Sequence, residues 1–124
     1  MKLLSIILVS IVALEALFIM VLEMFLTQTP LARRAFDLSA DYLAKKDARV
    51  SLANQGLYNG FIGVGIIFSL LVLSGEAQLQ MLYFFDGFVI VAAIFGALTA
   101  NKKILITQGL PAMLAMIALI VTNH

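Results

Sequence analysis

The sequence predicts an all-α integral membrane protein: a four-transmembrane-helix antiparallel bundle with both termini outside the cytoplasm. Three observations carry this prediction. Apolar types make up 63% of the 124 residues and charged types 12%, against about 25% charged in a soluble domain. A chain this short cannot hide so many apolar side chains in its own core, so lipid must solvate part of them. The apolar residues fall into four runs near the length a membrane span needs. The basic residues, finally, divide unevenly between the two sides those runs define.

The first run is Leu3–Leu26. Lys2 resembles a weak signal-peptide n-region, but the run continues past Glu15 to Leu26, so an uncleaved first helix is expected. The second run, Leu52–Leu73, follows a polar segment 27–51 with Pro30 near its start. The third, Leu79–Ala100, follows the turn Ser74–Gln78, and the fourth, Ile104–Val121, follows Asn101–Lys103. Connections this short require antiparallel neighbours. The runs are continuous rather than alternating, which selects helices over a β-barrel. All 124 residues form one membrane domain on this reading.

Four spans place the N-terminus, the second connection and the C-terminus on one side, with Lys2 alone. Arg33, Arg34, Lys45, Lys46, Arg49, Lys102 and Lys103 lie on the other. The positive-inside rule then makes segment 27–51 a cytoplasmic loop of a cell membrane. Within it, Leu31–Ala35 and Leu38–Lys46 read as short helical pieces whose cations can meet lipid phosphates.

Composition also excludes chemistry. There is no cysteine, which removes thiol catalysis and disulfides, and the single histidine is His124. A histidine triad, a histidine metal cluster, a phosphate-binding loop and a nucleic-acid surface are therefore not expected, and no metal or cofactor is called for.

Polar groups inside the apolar runs are the informative feature. Glu15 and Glu23 lie about 80° apart around the first helix and about 12 Å apart along it. In the second helix Gln55 and Asn59 share a face beside a stripe of Gly56, Gly60 and Gly63, where a helix can approach closely. Leu57, Tyr58, Phe61 and Phe68 lie opposite, toward lipid. Asn54 reads as an interfacial or capping residue. Asp86 shares a face with Ala93, Ala97 and Ala100, and Gln108 with Ala112 and Ala115. Pro111 loosens the backbone next to Gln108.

The topology puts Glu23, Gln55, Asn59 and Gln108 toward the cytoplasmic end and Glu15 near mid-membrane. The expectation is a polar pocket in the cytoplasmic half, formed by Glu15, Glu23, Gln55, Asn59 and Gln108, for a small polar or amphipathic ligand. Two alternatives stand beside it. Asp86, Glu15 and Glu23 form a carboxylate ladder for proton or small-cation transport, or the polar groups only glue together an accessory subunit. A Glu-based acid/base enzyme is left open. Membrane lipid is the expected partner, with a homodimer through the glycine stripe of the second helix as a further expectation.

The strings Ala13–Phe25 (ALEALFIMVLEMF), Ala53–Phe61 (ANQGLYNGF), Val91–Leu105 (VAAIFGALTANKKIL) and Gln108–Ala112 (QGLPA) resemble the bacterial membrane family called domain of unknown function 1304. The resemblance covers nearly the whole chain and implies a small four-helix protein of the bacterial cytoplasmic membrane. It transfers no catalytic residue. Family members often carry histidine after the first glutamate, where this chain has Ala16. Asp86 falls where the family pattern is apolar, which places it outside the expected pocket.

Overall fold

The computed structural model describes residues 2–123, so His124 lies outside the described residues. Every element among them is helical. The order is α1 (Leu3–Phe25), α2 (Pro30–Phe36), α3 (Ala40–Leu43), α4 (Lys46–Leu71), α5 (Gly75–Thr99), a π-helical turn (Leu105–Gly109) and α6 (Leu110–Thr122). α1 packs most extensively on α4 and also on α6, and α5 packs on both α4 and α6. The four long segments thus close into a ring around one core of Val9, Val12, Ala13, Ile66, Leu82, Ala112, Ala115 and Leu119.

Three helical stretches, Leu3–Phe25, Gly75–Thr99 and Leu105–Thr122, are long and apolar enough to cross a membrane. α4 falls outside that set because its first half carries Lys46, Asp47, Arg49, Asn54, Gln55 and Asn59. The side-chain distribution is that of a protein solvated by lipid. α6 buries Ala112, Ala115 and Ala118 while exposing Met113, Leu114, Ile117 and Val121. Leu71 and Leu98 are 80% and 81% exposed. On α6 the inward residues are these alanines and Leu119, and small inward residues let helices approach closely where lipid gives no hydrophobic drive for association.

Two helix starts differ from the hydropathy-based expectation. α4 begins at Lys46 rather than near residue 52, with Asp47 in its first turn, where a carboxylate favours the helix dipole. α5 begins at Gly75 rather than near 79. Hydropathy marks where lipid begins, whereas a helix needs only its own backbone hydrogen bonds to extend into the polar zone. Gly75 has φ of +61° with nothing near a hypothetical Cβ, so glycine is needed there for the backbone alone. Gln78 Nε2 closes the turn by donating to the carbonyls of Ser69, Leu70 and Leu73 at 3.1, 3.2 and 3.0 Å. The first two carbonyls belong to the C-terminal end of α4, where intrahelical donors run out, and the third lies just beyond it.

The segment between α1 and α4 is ordered by capping. Thr29 Oγ1 accepts from Ala32 N ahead of Pro30, and Ser39 Oγ accepts from Tyr42 N. Asp37, at φ of 56°, ends α2 in the left-handed region. Ala32 and Leu43 are fully buried, so this connection packs rather than floats. At the other end of α5, the N–H groups of Ala100 and Asn101 both donate to the Gly96 carbonyl, at 2.8 and 3.0 Å. Asn101 Oδ1 accepts from Lys103 N at 2.9 Å, which completes the tight turn.

Candidate functional site

The glycine stripe is the starting point. A Cβ on Gly56 would lie 2.8 Å from Glu23 Cβ, and one on Gly63 would lie 2.9 Å from Leu17 Cγ and 3.0 Å from the Ala13 carbonyl. A Cβ on Gly60 would overlap the Met20 side chain. All three glycines therefore admit α1 of the same chain. The stripe expected to serve a homodimer is filled internally, because the ring closure brings α1 onto that face.

That close approach creates one buried polar pair. Glu23 is 1% exposed, and Asn59 Nδ2 donates to its Oε1 at 2.6 Å. Asn59 lies three residues beyond Gly56, on the side of α4 that faces α1, so the glycine sets the separation the hydrogen bond spans. Both are expected toward the cytoplasmic end, with Asn59 slightly deeper, and the structure brings them into contact.

The remaining members of the expected pocket are dispersed. Glu15 is half-buried and sits about two turns along α1 from Glu23. Gln55 is exposed: next to Gly56 in sequence, it is rotated off the α1-facing side. Gln108 lies in the π-helical turn, which packs against α5, whereas the Glu23–Asn59 pair lies between α1 and α4. Asn54 is exposed and donates to the Val50 carbonyl within its own helix. The π-turn has a local cause. Pro111 lacks the N–H an α-ladder needs, and the neighbouring Leu110 N–H bonds back five residues to the Leu105 carbonyl.

Asp86, kept outside the expected pocket, occupies the most unusual position. It is 0% exposed, and neither carboxyl oxygen has a hydrogen-bond partner. Its neighbours one turn away on the same helix, Leu82, Val89 and Ile90, belong to or pack on the apolar core. Nearby contacts fix its level: the Phe85 ring meets the position of Gly65, and Tyr83 donates its hydroxyl proton to the Leu119 carbonyl at 3.2 Å. Asp86 is therefore close to the middle of α5, about 16 Å from its start. Of the alanines on its expected face, Ala93 is fully buried and carries the signal that Asp86 points inside, whereas Ala97 is half-buried and Ala100 is exposed.

A second polar cluster closes the far end of the ring. Ser5 is fully buried, and its hydroxyl lies 2.6 Å from Thr122 Oγ1. Asn123 Nδ2 donates to the Leu119 carbonyl at 3.0 Å. This cluster joins α1 to α6. Among the described residues, no three histidine, cysteine or acidic side chains are grouped to hold a metal ion.

The chain is 41% identical over 118 residues to the uncharacterized protein YpaA of Lactococcus lactis subsp. lactis (strain IL1403), covering 95% of this chain and 98% of that protein. No solved structure matches it. The sequence model of the family described as protein of unknown function DUF1304 matches residues 10–120. An all-helical chain with three membrane-length apolar helices, similar along nearly its whole length to YpaA, belongs to the DUF1304 family.

Proposed function

We propose that the protein is a four-span protein of the bacterial cytoplasmic membrane whose interior carboxyl groups pass a proton or a small cation, with Asp86 as the central station. α4 is the fourth span, both termini face outward, and the basic segment 27–51 faces the cytoplasm. The observation that carries the reading is Asp86 itself: a carboxyl group in an apolar core with no donor to either oxygen. Such a group is costly to keep and is a functional candidate by default. Among the described residues no three histidine, cysteine or acidic side chains are grouped to hold a metal ion, whereas a proton needs only one oxygen. Glu15 and Glu23 supply further carboxyl groups toward the cytoplasmic end.

The test is flux in liposomes reconstituted with wild type and Asp86→Asn, read with an internal pH dye under imposed proton, sodium and potassium gradients. Asparagine keeps the shape and cannot carry the charge. Wild-type flux that falls at least about tenfold in the variant supports the reading. Equal flux in the two, or none in wild type, overturns it.

The Glu23–Asn59 contact favours a second reading, a binding site for a small polar or amphipathic ligand at the cytoplasmic end. On that reading Glu15, Gln55 and Gln108 take part only after helix movement. Native mass spectrometry of wild type and Asn59→Ala separates the two, since a ligand site loses a bound species and a transport path does not. A homodimer through α4 would use the outer face of Leu57, Tyr58 and Phe61.

A further inference from the structure

A groove of about 480 Å³ opens between the C-terminal end of α1 and the first turns of α4. Its lining combines two chemistries: apolar Phe25, Leu26 and Val50, with Phe25 71% exposed, and polar Gln28, Thr29 and Arg49. An amphipathic molecule matches such a lining, and a wholly polar one does not.

Arg49 is held in place before any ligand arrives. Its Nη1 donates to the Ala44 carbonyl at 2.7 Å, and the residue is partly buried. One of five donors is used this way, and the planar fork is fixed with others available for a phosphate or carboxylate. Ala44 follows the capped α3, so the carbonyl that anchors the guanidinium is itself on an ordered segment.

Position and charge narrow the ligand. α1 is apolar enough to span a membrane and ends at Phe25, so the groove lies at the depth where a bilayer changes from acyl chain to headgroup. Segment 27–51 holds Arg33, Arg34, Lys45, Lys46 and Arg49 against Asp37, Asp41 and Asp47, five positive charges and three negative, a net of +2. A zwitterionic headgroup would bring its own cation to this surface. An anionic one would not.

We propose that this groove binds one anionic glycerophospholipid, with its phosphate on Arg49 and the start of an acyl chain along Phe25, Leu26 and Val50. The site is independent of Asp86 and of the Glu23–Asn59 pair. It anchors the α1–α4 corner to the inner leaflet through a bound lipid.

Native mass spectrometry of the full chain in detergent, titrated with phosphatidylglycerol or phosphatidylcholine, tests it. The expected result is one tightly retained phosphatidylglycerol, preferred over phosphatidylcholine. Arg49→Gln should weaken its retention about five- to tenfold, and Arg49→Lys should restore part of it. Lys45→Gln/Lys46→Gln, which removes charge outside the groove, should change retention less than Arg49→Gln. Circular dichroism verifies that each variant is folded, and a misfolded Arg49→Gln is replaced by Val50→Asp, which leaves Arg49 in place and spoils the apolar wall. Equal binding of the two lipids by wild type overturns the proposal. So does an effect of Lys45→Gln/Lys46→Gln as large as that of Arg49→Gln, which marks a diffuse basic surface, or full retention in the groove variants.

Discussion

The α1–α4 seam and the centre of α5 both bury an acidic side chain, and they treat it differently. In the seam, three glycines bring two backbones so close that Asn59 reaches Glu23 at 2.6 Å. At the centre of α5, the bulky Leu82 and Phe85 flank Asp86, and its two oxygens have no partner. Small residues shorten the distance between helices, and short distance lets donors meet acceptors. Where large side chains set the spacing, a polar group stays alone. Glu23 thus reads as part of the packing, while Asp86 needs a reason outside it.

The comparison breaks most readily at its glycines. Gly60→Leu should destabilise the detergent-solubilised protein by about 3 kcal/mol or prevent folding, because the added atoms overlap Met20. Gly87→Ala is the control: nothing lies within 4 Å of a Cβ there, so it should be neutral or stabilise by up to about 1 kcal/mol. Similar losses for both would mean that the glycine stripe does not seat α1. Thermal unfolding followed by circular dichroism reads both.

Next in size is the polar pair itself. Asn59→Ala should cost about 1 to 2 kcal/mol, since Glu23 loses its donor while remaining buried. Glu23→Gln should cost less, because its amide carbonyl can still accept from Asn59. If the two cost the same, the hydrogen bond contributes little and the seam is held by packing alone.

Asp86 should behave in the opposite sense. Asp86→Leu should leave stability unchanged or raise it by about 1 kcal/mol, because an unpaired polar group is exchanged for an apolar one in an apolar core. Marked destabilisation would show that Asp86 has a partner in the membrane and would bring it into line with Glu23. The smallest effect should be at the far end of the ring. Ser5→Ala removes one hydroxyl contact with Thr122 and should cost about 0.6 kcal/mol, the average for such bonds between membrane helices.

Much of the architecture is legible along the chain. The runs starting at Leu3 and Ile104 match their helices to within a residue or two, because lipid imposes a length and Lys102 and Lys103 mark the boundary sharply. Helical spacing also indicates which face of α4 is lined with glycine, and it places Pro111 beside the irregular turn. The starts of α4 and α5 are less legible, since both helices begin in polar sequence ahead of the apolar run, α4 with Asp47 in its first turn and α5 at Gly75. The candidate site is less legible still. Shared depth cannot separate Glu23 and Asn59, which meet, from Gln55 or Gln108, which do not join them, because depth does not report rotation about the helix axis or which neighbour is adjacent.

Residue types and their period therefore determine that this chain is helical, where three long apolar helices run, and which polar side chains lie within the apolar stretches. These properties are local: hydropathy, capping and 100° per residue act within a few turns. The tertiary structure alone decides that α1 occupies the glycine stripe, that Glu23 is paired and Asp86 is not, and that Gln55 and Gln108 stand apart. Those outcomes depend on the order of helices around the ring and on how closely neighbouring helices approach, which only the packed molecule sets.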